Sequence, residues 1–108
     1  MSVLAVDQVF AALADPTRRL VLEELGRRPP CSATTLAAGL PVSRQAVVRH
    51  LQVLRDCDLV TSHRAGKEVL FEVSPAPLTA TASWMTTLAD TWTERLQALK
   101  QQAERAGR

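Results

Sequence analysis

The sequence predicts a mainly α fold with one small β-hairpin, about five helices and two strands. Three observations predict it. Apolar residues recur at helical spacing in "VDQVFAAL", "QAVVRHLQVL" and the last third of the chain. Two of the helices are joined only by "GLPV", residues 39–42, a Gly-containing turn so short that they must cross steeply. In "KEVLFEV" the apolar period drops to two, the mark of a half-buried strand, before helical spacing returns. Helix, short turn, helix and basic hairpin, in that order and size, read as a winged helix-turn-helix.

The chain has 108 residues, enough for one domain, so residues 1–108 are expected to form a single unit. At 46 % hydrophobic and 4 % aromatic the composition is that of a globular protein rather than a disordered one. Its longest apolar runs fall far short of a membrane span, and Asp7 follows "SVLAV" too soon for a signal peptide. A soluble cytoplasmic protein with no membrane partner is therefore expected. Cys31 and Cys57 make no disulfide framework and read as buried small hydrophobes.

In the first helix, about residues 5–14, Val6, Val9, Phe10 and Leu13 make one apolar stripe. "ADPTRR" restarts the chain, with Asp15 as N-cap and Pro16 at the first helical position. That second helix should run to about Leu25 and bury Leu20, Val21 and Leu25. Gly26 can take the left-handed position past its end, and Pro29-Pro30 forbid continuation. Ser32 caps a brief third helix, Leu36 and Ala37 face inward, and Gly39 ends it. Ser43 caps the fourth helix, Val42 can staple to Val47, and Val47, Leu51 and Leu54 form its buried stripe. Val69, Phe71 and Val73 alternate along a strand whose partner is Val60 to Arg64, with Ala65-Gly66 as the turn and Pro75 and Pro77 closing it. A last helix, about residues 79–105, carries Trp84, Leu88, Trp92, Leu96, Leu99 and Ala103 as one stripe.

The net charge of +2 says little, but its distribution says more. Between residues 44 and 67 five cations (Arg44, Arg49, Arg55, Arg64 and Lys67) face two carboxylates, Asp56 and Asp58. A local basic excess in a near-neutral chain suggests a polyanionic partner at one face. On the fourth helix Gln45 and Arg49 lie opposite the buried stripe, with Arg44 and Val48 on the flank of that face. The N-terminal part of the second helix of a helix-turn-helix enters the major groove. There Gln suits adenine, Arg suits guanine, and an exposed valine suits a thymine methyl. Ser43 at the helix start can meet a phosphate. His63, Arg64 and Lys67 surround Gly66 at the hairpin tip and can reach the neighbouring backbone. His50 lies at the edge of the buried stripe.

In "FAALADPTRRLVLEEL", "LPVSRQAVVRHLQVLRDCDLV" and "GKEVLFEV" the chain resembles the arsenic-resistance-repressor (ArsR) family of small bacterial winged-helix regulators, over about residues 6–73. The resemblance implies a dimeric repressor whose fourth helix reads operator DNA. It carries recognition roles to Ser43, Arg44, Gln45, Val48, Arg49 and His50, and wing roles to Arg64 and Lys67. Metal-sensing members place Cys-x-Cys at the start of the third helix, where this chain has Ser32 and Thr34, with Cys31 one step before. Others use His on the last helix, which here has none. Asp58 stands where relatives usually have glycine, at a left-handed position. The likeness is therefore to members without recognisable metal ligands, and no cofactor is expected.

The stripe of the last helix spans about 30 Å at 1.5 Å per residue, more than the first helix can cover. A two-fold dimer through Val6, Phe10, Trp84, Leu88, Trp92, Leu96 and Leu99 is the simplest closure. It would set two recognition helices about 34 Å apart on a near-palindromic operator. The expected function is thus a homodimeric, sequence-specific DNA-binding repressor. A winged-helix module for an acidic protein, a repressor responding to metal, and one responding to redox state through Cys31 stay open as alternatives. No nucleophile with a base in reach and no glycine-rich phosphate loop marks the chain as an enzyme. The sequence specifies neither the operator nor an inducer.

Overall fold

The structure, a computed structural model, describes residues 3–107. Side-chain caps set where the first half of the chain turns. Helix α1 spans Val3–Leu13 and α2 spans Pro16–Gly26. At the corner between them Asp15 Oδ1 accepts from the backbone N–H of Thr17 at 2.8 Å and of Arg18 at 3.0 Å. Two guanidinium groups of α2 reach back to the last carbonyls of α1. Arg18 donates to the Ala12 carbonyl at 3.1 Å and Arg19 to that of Leu13 at 2.6 Å. Acceptors that a helix end leaves orphaned are thereby satisfied. Ser32 caps α3 (Ala33–Ala38) through the Thr35 N–H, and Ser43 caps α4 (Arg44–Asp56) through the Ala46 N–H, each at 3.1 Å.

The core lies where α1, α2, α3 and α4 meet, and Val9, Val21, Leu25, Leu36, Val47, Leu51, Leu54 and Leu59 are its fully buried side chains. Val42 packs on the same cluster as Val47, as a hydrophobic staple would. The α3–α4 turn is tight. A Cβ at Gly39 would run into the Arg28 guanidinium, which is held to Glu24 Oε1 at 2.9 Å. Asp58 follows α4 at φ 62°, the left-handed conformation in which the resemblance places a glycine.

Strands β1 (Val60–Ala65) and β2 (Glu68–Val73) pair antiparallel, from Val60 opposite Val73 to Ala65 opposite Glu68. The hairpin turn is Gly66-Lys67, one residue later than expected, with Gly66 at φ 64°. Gly66 is the residue that adopts positive φ without a steric cost there. Cys31 adds a one-residue bridge to β2 that the sequence did not announce. Its N–H donates to the Phe71 carbonyl at 3.2 Å and its carbonyl accepts from the Phe71 N–H at 2.8 Å. That bridge ties the start of α3 to the wing.

Helix α5 spans Ala76–Ala106. It starts three residues earlier than expected, because Pro77 sits in its first turn, where a missing N–H costs nothing, instead of closing the strand. Phe10 of α1 meets Trp84 edge to face, ring centroids 5.8 Å apart. Past Thr81 every described residue of α5 is exposed. No helix among the described residues is long and apolar enough to cross a membrane.

Two local expectations fail. Leu20 is half-buried, and Leu22 takes the core position beside Val21 and Leu25, which share one face of α2 at i, i+1 and i+4. Gly26 is the last helical residue, and the cap is Arg27 in right-handed backbone at φ −87°, so no left-handed glycine ends α2.

Candidate nucleic-acid interface

With Val47, Leu51 and Leu54 anchored in the core, α4 turns its other side chains outward at about 100° per residue. The side chains of Gln45 and Arg49 are exposed and make no hydrogen bond among the described residues. Gln52 and Asp56 continue the same face and bond to each other at 3.0 Å. Val48 is 42 % exposed on the flank toward the wing. Arg44 shares that flank, and its Nε donates to Thr34 Oγ1 of α3 at 2.9 Å. One nitrogen is thus spent on fixing the side chain, and the rest of the fork stays free. Thr34 was not expected to act there. Its signal in the sequence was only its place ten residues before Arg44, which no local rule reads.

His50 belongs to the opposite flank. It is half-buried and close enough to Asp15 to help hold that carboxyl below the usual range, after the larger effect of the Arg18 N–H bond. The turn of the helix sets it on the side of the α1–α2 corner, away from Val48. Val6 was expected at the dimer seam. It is 4 % exposed, packed within its own subunit, and has no side-chain surface left for a partner.

On the wing His63, Arg64 and Lys67 are all exposed, with His63 opposite Leu70 and Arg64 opposite Val69. The ion pairs among the described residues all lie at the two ends of α2: Arg18 with Asp15 at its start, and Arg27 and Arg28 with Glu24 at its end. Arg49, Arg55, Arg64 and Lys67 have no carboxylate partner among the described residues. Cations left unpaired along one side are what a polyanion needs, because pairing would have to be broken before binding.

Neither thiol is prepared for reaction. Burial pushes the Cys31 thiol up, and burial does the same to Cys57. A redox-reactive cysteine needs the reverse shift. No group of three His, Cys, Asp or Glu among the described residues is placed to hold a metal ion.

The helix-turn-helix domain family matches residues 13–63, which run from the end of α1 into β1. The chain is 38 % identical over 101 residues to the HTH-type transcriptional regulator Rv2034 of Mycobacterium tuberculosis, a match covering 94 % of this chain and 91 % of that protein. It also resembles the ArsR-like transcriptional regulator from Rhodococcus sp. RHA1 in structure, with TM-score 0.83 and 44 % identity over 91 % of this chain and 92 % of that one. The chain belongs to the ArsR family. It is a winged helix-turn-helix DNA-binding transcriptional regulator, of a class that is not enzymatic. A further relative, the transcriptional repressor SdpR of Bacillus subtilis, is 28 % identical over 80 residues, covering 74 % of this chain and 88 % of that protein. In this family frame α4 is the recognition helix and the β1–β2 hairpin is the wing.

Proposed function

We propose that this ArsR-family protein is a homodimeric repressor, acting in the cytoplasm on a near-palindromic operator. The start of α4 enters the major groove. There Gln45 and Arg49 read base edges, Val48 meets a thymine methyl, and Ser43 and Arg44 hold the backbone. His63, Arg64 and Lys67 of the wing meet the flanking backbone. The observation that carries this reading is that Gln45 and Arg49 stand exposed and unpaired on a helix start fixed from below by its cap and core stripe.

The exposed stripe supports the dimer. Trp84, Leu88, Trp92, Leu96 and Leu99 are between 44 % and 62 % exposed, a contiguous apolar strip that a second copy of α5 would cover. Phe10, at 39 %, extends it onto α1. Repression follows from occupancy: a small dimer seated on its operator blocks polymerase, and the relative SdpR is named as a repressor. The deciding experiment is selection of bound duplexes from a random pool. Two inverted half-sites about one helical turn apart are expected. Recovery of no preferred sequence would leave the winged-helix face as a protein-interaction surface instead.

A further inference from the structure

A groove of about 570 Å³ opens between α3, α4 and β2, on the wing side of the recognition helix. Its walls carry Arg44, Arg55 and Lys67 against one carboxylate, Glu68. Its apolar surface comes from Val48, Val69 and Phe71. Arg55 comes from the far end of α4, three turns from Arg44, and falls on the same flank by helical phase. Its exposed guanidinium has no partner among the described residues. The base-reading role of α4 makes no use of it.

We propose that this groove seats the sugar-phosphate strand that runs between the major groove and the wing, and that Arg55 is a backbone-phosphate contact there. The proposal rests on the DNA-binding reading and names a residue that reading does not include. Three features favour this occupant. The cations outnumber the carboxylate, so the groove suits a polyanion. The groove is continuous with the DNA-facing start of α4, since Val48 and Arg44 line it. Cations together with an apolar wall suit a chain of phosphates joined by deoxyribose rings, which presents both charge and C–H surface. A free phosphate would leave Val69 and Phe71 without a contact.

A helix-stabilising role for Arg55 also exists, because a cation in the last turn favours the helix dipole. Salt dependence separates the two, since each neutralised phosphate adds about 0.9 to the slope of log K against log salt. The test compares wild type, Arg55→Gln and Arg55→Lys on a selected duplex and on a scrambled duplex of equal length. Arg55→Gln should lose affinity equally on both duplexes. Between about 50 and 200 mM salt the affinity of the variant dimer, changed at both of its Arg55 side chains, should fall about 12-fold less than that of the wild type, about 3.5-fold per subunit. Arg55→Lys should keep the wild-type slope and thermal midpoint, and Arg55→Gln should lower the midpoint only slightly, by the lost dipole interaction. A wild-type chain that binds with a slope Arg55→Gln does not change overturns the seat and leaves the recognition helix standing. Failure of the wild type to bind any duplex overturns both.

Discussion

Arg49→Ala isolates the base-reading step. Arg49 is exposed and has no partner among the described residues, so truncation removes no contact from the folded chain. Surface changes of this kind stay within about 0.5 kcal/mol of neutral, and alanine suits a helix. Any loss of binding then belongs to the DNA. A bidentate arginine–guanine pair discriminates by about 1–3 kcal/mol, so each half-site should weaken about 5- to 160-fold. On a palindromic site the dimer loses this twice. The assay is a titration of wild type and variant at fixed salt, on the selected operator and on single-base changes across one half-site. One base change should be costly for the wild type and nearly free for the variant, which is the non-additivity of a direct contact. Equal loss on operator and scrambled duplex would refute the assignment, as would a lowered thermal midpoint that accounts for the whole effect.

Trp92→Glu places a carboxylate in the middle of the α5 stripe, where the side chain is 56 % exposed in the single subunit. The variant should fold and sediment as a monomer, because burying an unpaired charge in the interface costs several kcal/mol; an unchanged dimer would move the interface elsewhere. Lys67→Ala at the wing tip should weaken all duplexes alike and lower the salt slope, and a change in base preference would contradict its backbone role. For Asp15, the Arg18 N–H bond holds the folded carboxyl below the ordinary value of 3.8. Its contribution to stability is therefore complete above that value and is lost as pH falls through the depressed one. Asp15→Asn keeps a capping oxygen but does not titrate, so its denaturation midpoint should fall less steeply in that acid window.

What was legible in the sequence was local. Asp15, Ser32 and Ser43 cap as expected because a cap depends on three or four neighbouring residues. Val47, Leu51 and Leu54 bury as expected because α4 has one strong apolar phase. The misses needed contacts between distant residues. Leu22, not Leu20, faces the core, which is set by the elements packed on α2, and the wing gains the Cys31–Phe71 bridge across forty residues of chain. His50 and Arg55 both look polar and peripheral on a wheel, yet one turns to Asp15 and the other to the wing groove. Only the placement of neighbouring elements separates them.

The last helix shows how far a local signal reaches when geometry is added. Its stripe announces an amphipathic helix but not what covers it. Thirty-one residues at 1.5 Å each make a rod of about 46 Å. The molecule is 74 Å long but only 27 and 21 Å across, so the rod projects beyond the body that α1 and the core provide. Phe10 reaches Trp84, near its start, and Leu96 and Leu99 lie three turns or more further on at 60 % and 62 % exposure. No rearrangement of an 11-residue α1 could cover both ends of such a stripe. A second α5 of the same length, related by a two-fold axis, would cover one stripe with the other along most of its length.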